Sequence, residues 1–309
     1  MAQTITNHDL RCVNGGTMYL PPWADGDAGF GNLSIPDPWN DIDTAQQYPI
    51  GATYRTDERT FKYARIVNDI DIDGADRNIR RGMAVHSTSC INSYTDKLVA
   101  ETGYNTLGVK KLKIDMTTHV DFMNVSRAVV ANDYAGGHFT LYTPSAYWGC
   151  KVLANTAEDA SGYVYLTLES ALPVALTSTH IIQFEEYMYW RVIYPGASAN
   201  YSATVGFPLI WEQYKTIANG VGGVAAGNFI WLQTWGPYEG IVFGNAHGGA
   251  ESERFQYLAG AGYPDKDYIP AVDVTPQLGG FHTACNYKGG APADFDYNYL
   301  TTFFLMIAP

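Results

Sequence analysis

Between residues 229 and 235 the side chains alternate. Phe229, Trp231, Gln233 and Trp235 fall on one side, and Ile230, Leu232 and Thr234 on the other. Successive strand residues point to opposite faces, and both faces here carry large apolar groups. The pattern predicts a strand covered on both sides, with Phe229, Trp231, Leu232 and Trp235 as its core signature. Gly227 before it and Gly236-Pro237 after it are expected to end regular pairing. No side chain among these seven acts as acid, base or nucleophile, so the stretch speaks of architecture.

The same period of two recurs along the chain. Phe61, Tyr63 and Arg65 share one face against Thr60, Lys62 and Ala64, and a turn around residues 55–59 joins this strand to residues 47–54 as a hairpin. Residues 111–116 alternate strictly, and further strands are predicted over 138–142, 149–153, 162–168 and 179–184. Residues 297–307 form a strongly apolar terminal strand, expected to close the sheet that holds Trp231. Strand centres 10–15 residues apart fit an antiparallel barrel or sandwich.

Four regions follow from this pattern. Residues 1–45 read as an extended N-terminal arm, because Asn14-Gly15-Gly16, Pro21-Pro22, Asp25-Gly26-Asp27 and Pro36-Asp37-Pro38 interrupt every period. Tyr19, Trp23, Phe30 and Trp39 are anchors on that arm, expected to dock on its own domain or on a neighbouring subunit. Residues 46–105 hold the hairpin and an irregular region, 106–195 a β-barrel-like domain, and 196–309 a β-rich region that completes the sheet. The expected fold is therefore mainly β: antiparallel barrel or sandwich domains with an extended N-terminal arm.

Composition sharpens this picture. Charged residues make up 16% of the 309 positions, while Tyr reaches 23 and Gly 31, a balance that suits strands and tight turns. Many aromatics with few charges also suit extensive protein contact. The net charge of −12, with no basic run longer than Arg80-Arg81 or Lys110-Lys111, argues against direct nucleic-acid binding. No apolar run reaches the roughly 18 residues of a membrane span, and residues 1–8 lack the features of a signal peptide. The expected setting is the cell that makes the protein, with release by lysis or assembly.

Candidate chemistry is sparse. Cys12, Cys90, Cys150 and Cys285 are isolated and the seven histidines scattered, so no zinc spacing exists and free buried thiols are expected. Asp69, Asp71 and Asp73 with Gly74 copy the first half of a calcium loop, but its twelfth position is Arg80 where a glutamate is required. The acidic stretch from Asp69 to Asp76 is thus read as a strand with one wet face. Glu185-Glu186, beside Tyr187, Tyr189 and Trp190, is the best case for sugar chemistry, yet neighbours on a strand face apart. No catalytic, metal or cofactor-binding residue is assigned, and the protein is expected not to be an enzyme.

Several stretches resemble a family of tailed-bacteriophage virion proteins. They are residues 47–51 and 61–65, Asn132-Asp133-Tyr134-Ala135-Gly136-Gly137-His138-Phe139, residues 166–169 with 173–176, Pro208, and residues 229–237. They run in order from about 46 to 240, roughly two thirds of the chain. The resemblance implies a capsid-associated role in the virion, as a decoration or cement protein or as another shell or filament component. The partners it implies are further copies of the chain, a trimer among the options, and the major capsid protein. A carbohydrate-binding or glycan-degrading β-protein is the alternative that the exposed tyrosines and tryptophans raise.

Overall fold

The computed structural model describes residues 10–13, 16–21, 35–66, 84–86, 90–94, 103–117, 129–177, 179–193, 204–209, 227–242, 255–258, 264–265, 277–284 and 299–307. Nineteen strands occur among them, and no helix. Every strand pairing is antiparallel, with one isolated parallel bridge from Ile66 to Val192. The chain folds as two compact units. The larger takes the described residues of 10–21, 35–86 and 191–307, and the smaller those of 90–190. The mainly β, antiparallel class expected from the alternation holds.

The larger unit begins with β1 (Leu10–Val13), β2 (Gly16–Tyr19), β3 (Ile42–Asp43), β4 (Thr53–Thr56), β5 (Arg59–Arg65) and β6 (Ala84–His86). The smaller unit supplies β7 (Cys90–Tyr94), β8 (Lys111–Asp115), β9 (His138–Tyr142), β10 (Tyr147–Asn155), β11 (Tyr163–Leu168) and β12 (Ile181–Glu185). The larger unit resumes with β13 (Val192–Ile193), β14 (Thr204–Pro208), β15 (Phe229–Val242), β16 (Phe255–Leu258), β17 (Pro264–Asp265), β18 (Gln277–Ala284) and β19 (Tyr299–Met306). β6 and β13 pair with each other, Val85 opposite Ile193, so the intervening segment leaves and rejoins the larger unit at neighbouring strands. That is the geometry in which one compact unit is inserted into another.

β15 is the spine of the larger unit. Its sheet runs β1-β2-β4-β5-β15-β19-β18-β16-β17. Phe229 and Ile230 pair with Arg65 and Ala64 of β5 and also with β3, while Leu232 and Gln233 pair with β5 and with β14. Pairing on both edges, with side chains covered on both faces, leaves residues 229–234 buried. The same covering explains β5, where Phe61, Tyr63 and Ala64 are all buried although the pattern predicts one wet face.

Two expectations are corrected here. Strand pairing starts inside residues 1–45: β1 and β2 form a hairpin, β2 pairs with β4, and Met18 is fully buried. The Asn14-Gly15 dipeptide between two short apolar-rich runs is the hairpin signal there. Gly236-Pro237 does not end pairing either, because β15 continues to Val242 against β19. The ladder with β5 shifts register between Gln233 and Trp235, and Gly236 adopts φ 95° with a would-be Cβ 2.2 Å from the Glu58 carbonyl. Pro237 lacks an N–H, but its carbonyl accepts from Arg59 Nε at 3.0 Å, so its missing donor faces the edge where β5 begins and not the β19 ladder.

The buried Gln233 amide holds this bulge together. Its Nε2 donates to the carbonyls of Trp235 (3.1 Å), Gly236 (3.2 Å) and Pro237 (2.8 Å). Gln233→Leu removes this donor group while conserving bulk, and is expected to cost about 1–2 kcal/mol from the Trp235 and Gly236 carbonyls that lose it, since Pro237 keeps the Arg59 bond. The midpoint of urea unfolding checks this, and a midpoint equal to wild type would count against the stapling role.

The smaller unit is one six-stranded sheet, ordered β7-β12-β9-β10-β11-β8. One face is its core, with Ile114, Phe139, Leu141, Val152, Leu166 and Phe184 among the buried side chains. Lys113 is buried despite the strict alternation of β8. Its ammonium lies 4.4 Å from the Tyr163 ring centroid and 5.5 Å from that of Tyr165, which attracts the charge as the stem is covered.

A tight turn over residues 131–136 feeds β9. Asp133 is fully buried; its carboxylate accepts from Trp190 Nε1 at 2.6 Å and from the Val130 N–H at 2.8 Å. Asn155 accepts from the Tyr134 N–H at 2.8 Å and donates to the carbonyls of Val130 and Thr156. These bonds replace ladder pairing that the turn backbone lacks.

Candidate functional site

The core signature assembles around Trp231. Its ring centroid lies 5.0 Å from Tyr48, 5.1 Å from Tyr63 and 6.1 Å from Tyr54, and Tyr63 stacks on Phe229 at 5.9 Å. Phe229, Trp231 and Leu232 are buried, while Trp235 is half-buried with its ring edge-on to Phe304. Residues of the stretches 47–51, 61–65, 208 and 229–237 meet at this hub or pair beside it. They are packing residues.

Tyr63 bonds an ionisable side chain. Its hydroxyl donates to Asp43 Oδ2 at 2.5 Å and accepts from the Gln47 N–H at 3.3 Å. Burial, reinforced by the bond to Asp43, pushes the phenol far above its usual range. Burial also raises Asp43, against the lowering effect of the Tyr63 bond. A phenol held in this way stays protonated through neutral pH. Its role is to position residues 43–47 against β5.

The arm anchors are distributed differently. Trp39 is half-buried, 5.7 Å from Phe61 with the Arg59 guanidinium over its ring. Tyr19 is at the surface with Arg55 over its ring at 5.4 Å. Trp23 and Phe30 lie outside the described residues, as does the acidic stretch Asp69 to Asp76.

A half-exposed apolar face lies on the same sheet beyond the hub. Phe281 stacks on Phe304 at 5.3 Å and 7°, and Phe304 meets Trp235 edge-on at 5.4 Å. Met306 pairs with Trp235 in register. Phe281 is 37% and Met306 39% exposed. Charged side chains are missing from this group of four, the composition of an interface centre.

In the smaller unit Glu185 and Glu186 separate. Glu185 is half-buried on the outer sheet face, while Glu186 is 2% exposed, so the two do not flank a common cleft. His180 is buried and accepts from the Thr177 N–H through Nδ1 at 3.3 Å. Cys150 is a buried free thiol, raised by burial. Among the described residues no group of three or more His, Cys, Asp or Glu side chains is placed to hold a metal ion, and no helix is long and apolar enough to cross a membrane.

Two features escape sequence reasoning. The Asp133–Trp190 bond joins residues 57 apart, and Trp190 carries no local mark of its partner. The outer face of the smaller sheet aligns Tyr142 with Tyr147 and Ile181 through register alone. The hairpin spacing of Tyr142 and Tyr147 around Thr143-Pro144-Ser145-Ala146 is the signal that could have paired them. Compared with protein-family models, with curated proteins and with solved structures, the chain matches none.

Proposed function

We propose that this chain is a non-enzymatic structural protein of a tailed-phage virion, a decoration or cement-like component of the shell. It acts through contacts between its own copies and with the major capsid protein. The observation that carries the reading is the half-exposed face of Trp235, Phe281, Phe304 and Met306. Aromatic and methionine side chains, grouped with no charge among them, are what interface centres enrich. The quiet charge composition and the packing role of the resembling stretches point the same way.

Light scattering of the full chain over a range of concentrations tests this. The expected result is a persistent trimer or larger closed assembly. Phe281→Glu, placed where the ring is already part-exposed, is expected to shift the mass towards monomer. A wild-type monomer at every concentration would overturn assembly through self-contact, and an unshifted Phe281→Glu would remove this face from the contact.

A further inference from the structure

The outer face of the six-stranded sheet differs in chemistry from the apolar face just described. Directly opposed residues of antiparallel strands share a face, so β10, β9 and β12 build three rows. Tyr147, Tyr142 and Ile181 form the first, Gly149, Thr140 and Gln183 the second, and Lys151, His138 and Glu185 the third. The rows lie roughly 7 Å apart, two residues of strand rise. Tyr147 is 80% exposed, and Tyr142 meets it edge-on at 5.0 Å and 89°. The Tyr142 hydroxyl reaches towards Gln183 Oε1 at 3.4 Å.

This face is held rigid at its aromatic end. The hairpin joining β9 to β10 is closed by Thr143, whose N–H and hydroxyl both donate to the Ala146 carbonyl at 2.9 and 3.0 Å. The Ala146 N–H donates back to the Thr143 hydroxyl at 2.9 Å. Gly149 leaves the centre of the face without a side chain, and the His138 Nε2 lies 2.9 Å from where its Cβ would stand. What comes close to the backbone at this glycine is the His138 ring, which places its imidazole at the middle of the face.

The ligand chemistry follows from the rows. An exposed aromatic ring takes an apolar ring face. A hydroxyl and a carboxamide beside it take hydroxyl groups as donors and acceptors. One ammonium and one carboxylate in the third row favour neither a polyanion nor a polycation, and the net charge of −12 repels the former. A sugar ring has an apolar C–H face and a rim of neutral hydroxyls, and three rows extend beyond a single ring. We propose that this sheet face binds a neutral oligosaccharide, with its ring stacked on Tyr147 and its hydroxyls met by Thr140, Gln183 and His138.

The test uses the full chain on an array of neutral gluco-, manno- and chito-oligosaccharides, with heparin oligosaccharides as polyanion control. Retention of at least one neutral class is expected. Tyr147→Ala is expected to weaken it about tenfold or more, whereas Leu107→Ala, another exposed apolar residue outside the three rows, leaves it unchanged. Circular dichroism matching wild type confirms that the variants fold. Retention of heparin alone, no neutral retention at about 1 mM sites, or equal retention by Tyr147→Ala would each overturn the proposal. The assembly reading is judged by solution mass, so a glycan-binding monomer would sink that reading and sustain this one.

Discussion

Trp231→Ala lowers the stability of the larger unit by about 3–5 kcal/mol, the range for removing a fully buried large aromatic. Trp231 is fully buried and its ring meets those of Tyr48, Tyr54 and Tyr63. Each such pair adds about 0.5–1.5 kcal/mol beyond area burial, and three lapse together. The cavity opens beside the β5 ladder, between residues 229–230 and 232–233 that are paired on both edges, so the backbone cannot readily collapse to fill it. The indole Nε1 has no hydrogen-bond partner among the described residues. Trp231 therefore acts through volume and ring contact, and Trp231→Phe should recover more than half of the loss. Urea unfolding, with hydrogen exchange read separately on peptides of β5 and β15, measures both. An alanine variant within about 1 kcal/mol of wild type would refute the hub.

The covering of β15 on both faces was legible because seven residues in a row keep strict alternation with large groups on both sides. β9, β11 and β12 were legible for the opposite reason, since each buries every second residue. Failures came where a distant partner overrides a local rule. Gly236-Pro237 is a stop signal in isolation, but Gln233 and Arg59 supply the bonds that let the strand continue. Lys113 is a polar position until Tyr163 and Tyr165 cover it. The pairing of β6 with β13 joins residues about a hundred apart, and no local period encodes it. The candidate sites were less legible than the fold. Trp235, Phe281, Phe304 and Met306 become a surface only once β15, β18 and β19 are in register, and Tyr142 joins Ile181 only when β9 and β12 pair.

Gly137→Ala is expected to destabilise the smaller unit by about 3 kcal/mol or more, at or beyond the upper range for overpacking. The added methyl would stand 1.9 Å from the Glu185 carbonyl oxygen and 3.0 Å from that of Tyr134. Both obstacles are backbone, and neither can swing aside. The turn cannot retreat either, because Asp133 ties it to Trp190 and Val130, and Asn155 ties it to β10. β12 is fixed from its other side by pairing with β7. Gly149→Ala is the contrast: its nearest obstacle is the tip of the exposed His138 ring, which can rotate away, and the Phe139 carbonyl at 3.1 Å asks only for a shift of a few tenths of an ångström. That variant is expected to change stability by about 1 kcal/mol or less. The contrast also bears on the face proposed to bind oligosaccharide, since β9 carries His138, Thr140 and Tyr142 directly after Gly137. If the turn sets the position of that strand, oligosaccharide retention should fall with the fold in Gly137→Ala. A Gly137→Ala protein as stable as wild type would show that β9 and β12 can part without cost, and the rigid register on which the face depends would fail with it.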